Sequence, residues 1–155
     1  MIIKSAIAAG LLLAASLAHA QQAAYGPGVS LEQAKKAAAA AAAEARKNGF
    51  KMALVVVDTH GFTVYMEVLD DTQTASGNLA IQKARTAAMM RRPSKALEDG
   101  VAGGRNALLS LPDLLMVEGG EPLIVGGKVI GAIGVSGASS AQDGQVARAG
   151  ADALK

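Results

Sequence analysis

The sequence contains no cysteine and no tryptophan, and it has only two tyrosines and two phenylalanines. The absence of cysteine excludes disulfides, thiolate metal sites and cysteine nucleophiles. The scarcity of aromatic side chains leaves no stacking platform for single-stranded nucleic acid. The chain must therefore work without disulfides, thiolates or an aromatic stacking surface.

The first twenty residues have the three parts of a secretory signal peptide. Lys4 supplies the positive charge, residues 6–17 form an apolar run, and Ala18-His19-Ala20 is a small-residue cleavage site. The run of about a dozen residues is short for a membrane span of about 20. We therefore predict cleavage after Ala20, which leaves 155 − 20 = 135 residues, and a periplasmic or secreted protein with no membrane segment.

The charge of the remaining chain is nearly balanced. Removing Lys4 from 15 basic residues leaves 14, against 13 acidic ones, for a formal charge of +1. This balance gives no electrostatic reason to expect nucleic acid or an anionic membrane as a partner.

Residues 119–143 organise the predicted fold. Two apolar runs, Leu123–Val125 and Val129–Val135, are separated by Gly126-Gly127, and such a pair of glycines is typical of a tight β-hairpin. Glycine-rich corners precede and follow the hairpin. Ser140 and Asp143 then indicate the start of a helix.

The rest of the chain predicts helices and strands on both sides of a sheet. Residues 21–29 read as a flexible lead-in, and Ser30 begins a capping box for an alanine-rich helix. The other predicted elements are strands at 52–58 and 62–69, helices at 78–90 and 94–98, a packed loop at 107–117 that leads into a strand, and a last helix at 141–154. This order predicts a single α+β domain over residues 30–155.

Three segments of the chain together resemble the GlcG/HbpS family of haem-degrading or haem-binding uptake domains. They are VVVDTHGFTVYMEVLDD, NLAIQKARTAA and GGEPLIVGGKVIGAIGVSG followed by QDGQVARAGADAL. The resemblance implies a profilin-like or PAS-like three-layer α/β/α sandwich around a mainly antiparallel sheet of about five strands. It also implies self-association, because members of the family form dimers and larger oligomers.

The two glycine-rich corners are the predicted ligand pocket. We assign to it Gly119, Gly120, Glu121 and Pro122 from the first corner, and Ser136 and Gly137 from the second. The backbone N–H groups of Ser136 and Gly137 are available to an anion. The alternative is that these glycines only make turns and allow close packing.

Two cations on the helix at 78–90 are further candidates. Lys83 or Arg85 can anchor a ligand carboxylate, or both can be solvated. Asp143 is expected to be a helix-start residue rather than a catalyst. Ser94 follows Pro93 at a point where the family often has a hydroxyl residue near a pocket.

His60 is the one histidine that remains after cleavage. It is a candidate axial ligand for haem iron, and the alternative is a solvated side chain in a hairpin turn. No H-x-x-x-H pattern is present, and no catalytic constellation can be assembled from the sequence.

The predicted function is that of an exported protein that binds a small ligand. The resemblance makes haem the leading ligand, and haem breakdown is proposed for some members. The alternative is a periplasmic binding or sensing module for a small organic acid or other metabolite, without haem. A sensor or transporter is the kind of partner that either function would serve.

Overall fold

The computed structural model describes residues 22–155, so the predicted signal peptide lies outside the described residues. The helices are α1 (Leu31–Lys47), α2 (Ser76–Met90), α3 (Ser94–Ala102) and α4 (Ser140–Asp152). The strands are β1 (Ala53–Val57), β2 (Thr63–Val68), β3 (Gly120–Val125) and β4 (Lys128–Ser136). A short 3₁₀ helix covers Asn106–Ser110. No helix among these residues is long and apolar enough to cross a membrane.

The strands form one antiparallel sheet in the order β2-β1-β4-β3. All five residues of β1 are buried, as the valine-rich run predicts for a central strand. The β3–β4 hairpin turns at Gly126 and Gly127, whose φ angles of 56° and 74° are those that glycine adopts without steric cost. The hairpin prediction is confirmed.

Helices cover both faces of the sheet and confirm the predicted three-layer α+β arrangement. Alanines of α1 and apolar residues of α4 pack on Leu54, Val56 and Ile133. Alanines of α2 pack on the opposite face, against Val55 and Ala132. The alternation of side chains along each strand thus divides the core into two layers.

The prediction of about five strands is wrong, because the sheet has four. The missing strand is the one predicted to follow the packed loop at 107–117, because the residues between the 3₁₀ helix and β3 are irregular. Side chains satisfy this backbone in place of a neighbouring strand: Leu115 N donates to Thr86 Oγ1 at 2.8 Å, and Ser94 Oγ donates to Val117 O at 2.7 Å. A backbone whose polar groups are paired in this way has no need of a strand partner.

The segment predicted as a flexible lead-in is held against β4 where the structure describes it. Gly26 N donates to Val129 O at 2.8 Å, Val29 N donates to Ile130 O at 2.7 Å, and Val29 is buried. Gly26, Pro27 and Gly28 suggested flexibility, but the edge of the hairpin supplies hydrogen-bond partners that the sequence does not reveal.

Helix starts agree with the sequence to within two residues. The capping box of α1 is present, with Ser30 Oγ accepting from Gln33 N and Gln33 Oε1 accepting from Ser30 N. The helix α4 is capped by Ser139 and Gln142 instead of Ser140 and Asp143. The Asp143 carboxylate is therefore not needed for capping and is available to a different partner.

Candidate functional site

The two glycine corners lie side by side at one end of the sheet. Gly120 is paired with Gly134, and Val135 N donates to Gly119 O at 2.8 Å. The space above these glycines is occupied by α2. A Cβ atom on Gly120 would lie 2.1 Å from Lys83 O, and one on Gly134 would lie 2.1 Å from Ala80 O. These glycines allow close packing of a helix on the strands, which is the alternative that the sequence left open.

Lys83 and Asp143 form a buried ion pair beside this corner. Lys83 Nζ donates to Asp143 Oδ2 at 2.7 Å, and their side chains are 4% and 3% exposed. Burial raises the pKa of the Asp143 carboxyl, and the hydrogen bonds from Lys83 and from Ala138 N oppose that shift. Lys83 therefore anchors a carboxylate, as one sequence alternative allowed, but the carboxylate belongs to the protein itself.

The second corner is packed in the same manner. Ser136 is 3% exposed, and a Cβ atom on Gly137 would lie 2.1 Å from Lys51 O. The next amide, Ala138 N, donates to Asp143 Oδ1 at 3.0 Å. An anion is thus bound at this corner, and it is the Asp143 carboxylate.

Ser94 joins the start of α3 to the first glycine corner. Its Oγ donates to Val117 O at 2.7 Å and accepts from Gly120 N at 2.9 Å, and the residue is fully buried. Both hydrogen-bonding roles of the hydroxyl are therefore used within the fold.

Glu121 and Pro122 line an open groove on the outer edge of β3. The groove has a volume of about 340 Å³ and is bounded by the following residues: Pro93, Glu121, Pro122, Ile124, Arg148, Ala151, Asp152 and Lys155. Its walls are mainly proline, isoleucine and alanine, and its charged groups are two cations and two carboxylates. Glu121 and Pro122 are the residues of the predicted pocket that border this groove.

Glu121 is the most perturbed group in the groove. Burial raises its pKa to about 7, and the nearby Glu118 adds to the shift while Arg148 opposes it. Arg148 Nη1 lies 3.0 Å from Glu118 Oε1 and 3.6 Å from Glu121 Oε1. Sequence reasoning missed Arg148, because it is 27 residues from Glu121 along the chain and no local pattern joins them.

Arg85 reaches the β1–β2 turn that carries His60, whereas Lys83 is paired with Asp143. Arg85 Nε donates to Gly61 O at 3.0 Å, so the guanidinium side chain lies against the residue between His60 and Phe62. His60 is exposed, and its Nδ1 lies 3.3 Å from Thr59 Oγ1. Phe62 is 69% exposed. The turn thus presents an imidazole, an aromatic ring and a guanidinium to solvent.

The described residues contain no group of three or more histidine, cysteine, aspartate or glutamate side chains suited to a metal ion. A metal held by several protein ligands is therefore not indicated within residues 22–155. A haem iron needs fewer, because the macrocycle supplies four nitrogen ligands and the protein commonly supplies one axial donor.

The fold defines an α+β sandwich domain with one antiparallel sheet and helices on both faces. Within that class, the chain belongs to the HbpS-like family, which carries the description haem degrading protein HbpS-like. The model of this family matches residues 29–152.

Individual relatives agree with this assignment. The chain is 40% identical over 108 residues to Protein GlcG of Escherichia coli (strain K12), which covers 70% of this chain and 81% of GlcG. The crystal structure of HbpS superposes with a TM-score of 0.78 at 36% identity, over 84% of this chain and 92% of HbpS. The crystal structure of a PduOC:haem complex superposes with a TM-score of 0.74 at 27% identity, over 83% of this chain and 96% of PduOC.

Proposed function

We propose that the protein is exported and binds a small ligand, and that this ligand is haem. The observation that carries the proposal is the fold shared with PduOC, which has been crystallised as a haem complex. The chain also belongs to a family described as haem degrading protein HbpS-like, and this description points to the same ligand.

The β1–β2 turn carries three of the groups that a haem site would use, and we assign the proposed site to it. A haem site needs an axial donor, an apolar or aromatic contact for the macrocycle and a cation for the propionates. His60 would supply the imidazole, Phe62 the aromatic contact and Arg85 the cation, and all three are exposed. When bound, haem would supply an iron centre with one coordination position taken by the protein.

The side chains around the turn support this use of His60. Asp58 Oδ1 accepts from His60 N at 2.8 Å and from Phe62 N at 3.0 Å, which fixes the backbone of the turn. A fixed backbone presents the imidazole in a restricted set of positions and so reduces the entropy lost on binding.

A haem titration followed in the Soret region tests the proposal. We expect saturable one-to-one binding with a shifted Soret band. His60→Ala should change the band position and weaken binding at least about tenfold, and added imidazole should restore part of the wild-type spectrum. Arg85→Ala should weaken binding without changing the band, whereas Arg105→Ala, another exposed arginine, is the control and should change neither.

One result would contradict the role of His60, and another would contradict haem as the ligand. Saturable binding with an unchanged spectrum in His60→Ala would leave haem as the ligand and remove His60 as the axial donor. An absence of saturable binding to the wild-type protein would exclude haem.

The groove at Glu121 favours a second candidate, a small organic acid. Arg148 and Lys155 line the groove and can pair with a ligand carboxylate. Because its pKa is raised to about 7, Glu121 is protonated in part of the molecules at neutral pH and can then donate a hydrogen bond to that carboxylate.

Thermal-shift measurements with a panel of short-chain monocarboxylic and dicarboxylic acids would test this candidate. Binding through a protonated Glu121 should be stronger at pH 6 than at pH 8. Glu121→Gln should retain binding and lose this pH dependence, because the amide is a donor at both values. Equal binding at the two pH values in the wild-type protein would contradict the role given to Glu121.

The proposal of export rests on the signal-peptide pattern of residues 1–20. The partner that we propose for an exported binding protein is a sensor or a transporter. Mass spectrometry of the protein expressed in a Gram-negative host should find Gln21, or pyroglutamate formed from it, at the amino terminus. An intact Met1 on the mature protein would contradict the prediction of cleavage.

A further inference from the structure

A second cavity lies between the carboxyl end of α1 and the carboxyl end of β2, and we call it the α1–β2 pocket. Its volume is about 310 Å³, at the lower end of the range of about 300–1,000 Å³ for sites that bind small molecules. The residues that matter for its chemistry are Arg46, Phe50, Lys51, Glu67, Leu69 and Asp70.

The α1–β2 pocket is distinct from the two sites proposed above. His60 precedes β2, whereas the pocket lies at the other end of this strand. The six residues of β2 cover about 20 Å at about 3.3 Å per residue. The groove at Glu121 borders β3, which is the opposite edge of the sheet. A ligand in the α1–β2 pocket therefore uses neither of those sites.

Part of the lining of the α1–β2 pocket is apolar. Side chains alternate along a strand, so Tyr65, Glu67 and Leu69 lie on one face of the sheet, the face that α1 covers. Leu69 and Phe50 are partly buried and pack against the core between α1 and the sheet. These two side chains offer an apolar contact to a ligand.

The charged lining consists of two cations and two carboxylates. Arg46 Nη2 donates to Glu67 Oε1 at 2.8 Å, which engages one of the five N–H donors of the guanidinium. Lys51 Nζ lies 3.7 Å from Asp71 Oδ2, beyond the usual hydrogen-bond range of about 2.7–3.2 Å. Asp70 makes no ion pair with a residue that the structure describes. One ammonium and one carboxylate are thus available to a ligand.

Hydrogen bonds fix the backbone on either side of the pocket. Phe50 N donates to Ala45 O at 2.9 Å, in the residue that precedes the lysine. Leu69 N donates to Met52 O at 3.0 Å, in the residue that precedes the aspartate. Because both backbone positions are held before a ligand arrives, less entropy is lost when the ligand binds.

We propose that the α1–β2 pocket binds a free α-amino acid with an apolar side chain. Lys51 and the remaining N–H groups of Arg46 bind the ligand carboxylate, and Asp70 binds the ligand ammonium group. The apolar side chain of the ligand contacts Phe50 and Leu69. This inference rests neither on haem binding nor on export.

The balance of charge in the lining favours a ligand that carries both charges. A monocarboxylate would pair with Lys51 but would cover Asp70 without giving it a partner. A simple amine would pair with Asp70 and leave Lys51 in the same position. A charged group that loses water without gaining a partner weakens binding, whereas an amino acid supplies a partner to each.

Isothermal titration calorimetry with leucine and its analogues tests the proposal. Leucine should bind saturably with one-to-one stoichiometry. Isocaproate is leucine without its amino group, and isoamylamine is leucine without its carboxylate. Each should bind at least about tenfold more weakly, because each lacks one charge-assisted contact. Glycine has both charges but no side chain, and it should also bind more weakly.

Two variants of exposed residues identify the site of binding. Lys51→Met and Asp70→Asn should each weaken leucine binding at least about tenfold, and circular dichroism should show that both remain folded. Lys47→Met and Asp113→Asn are the matched controls, because both residues are exposed and neither lines the pocket. They should leave leucine binding unchanged.

The same variants show which ligand group each residue binds. Lys51→Met should not affect the weaker binding of isoamylamine, which has no carboxylate. Asp70→Asn should not affect the weaker binding of isocaproate, which has no ammonium group.

Three results would overturn the proposal. An absence of saturable binding of leucine, methionine and phenylalanine would exclude an apolar amino acid as the ligand. Binding of isocaproate or isoamylamine as tight as that of leucine would show that one charge is enough. Leucine binding that is unchanged in both Lys51→Met and Asp70→Asn would place the amino acid outside the α1–β2 pocket. None of these results bears on the haem titration, which is measured separately in the Soret region.

Discussion

The Nζ atom of Lys83 in α2 lies 2.7 Å from Oδ2 of Asp143 in α4, and both side chains are almost fully buried. The pair joins helices from the two opposite faces of the sheet, at the end where the two glycine corners meet. A backbone amide of the second corner completes the environment of the carboxylate.

Removing one member of this pair should strongly destabilise the protein. Lys83→Met or Asp143→Asn is expected to lower the free energy of unfolding by about 3–5 kcal/mol, because the remaining group is left buried without its partner. The double variant should lose less than the sum of the two single losses. Urea unfolding followed by circular dichroism measures these values.

The exposed pair of Lys95 and Asp99 offers the control for this cycle. Lys95→Met should have no measurable effect on unfolding, because solvent screens an exposed pair. Additive losses at Lys83 and Asp143 would show that the buried pair does not act as a unit.

The raised pKa of Glu121 should make stability fall as pH rises through the range from 4.5 to 7. The unfolded carboxyl loses its proton near its usual pKa of 4.5, whereas the folded carboxyl retains it to about 7. Between these values the folded state binds more protons, so raising the pH favours unfolding, by up to about 3 kcal/mol in total. Chemical denaturation at pH 4.5, 6 and 8 measures the slope.

Glu121→Gln should remove this part of the pH dependence. The variant is expected to match the wild-type protein near pH 4.5 and to be more stable at pH 8, because the amide never carries the buried charge. Parallel stability profiles for the two proteins would show that Glu121 ionises with its ordinary pKa.

Adding a methyl group at Gly134 should disrupt the packing of α2 on the sheet. The Cβ of Gly134→Ala would lie 2.1 Å from Ala80 O and 2.5 Å from Ala84 N, both of them backbone atoms. We expect a loss of about 3 kcal/mol or more, at or above the upper end of the cost of overpacking. Thermal unfolding measures the loss.

Gly28→Ala is the matched control, because no atom lies within 4 Å of its added Cβ. It should be neutral or raise stability by up to about 1 kcal/mol. Equal behaviour of the two glycine variants would contradict the close approach of α2 to β4.

Ser94→Ala should cost about 1–3 kcal/mol, because it leaves Val117 O and Gly120 N without the hydroxyl that joins them. Ser110→Ala, which removes an exposed hydroxyl that donates to Ala107 O, should cost much less. The two unfolding curves, measured side by side, separate a buried bridge from an exposed hydrogen bond.

The sequence predicted the helices and most of the strands because their signals are local. The capping residues Ser30 and Gln33, the valine run of β1 and the Gly126-Gly127 turn each act within a few residues. The strand expected to follow the loop at 107–117 is absent, because that loop is held in another way. Its backbone partners are side chains 20 or more residues away, such as Thr86 and Ser94.

Chain composition and local pattern by themselves determined the α+β class, the hairpin, the absence of disulfides and the candidate residues. Only the tertiary structure decided how those candidates are used. It paired Lys83 with Asp143, separated Arg85 from Lys83, filled the glycine corners with α2 and placed Glu121 beside Arg148. The physical reason is that burial, ion pairing and pKa shifts depend on distances between residues far apart in the chain, and no local pattern encodes those distances.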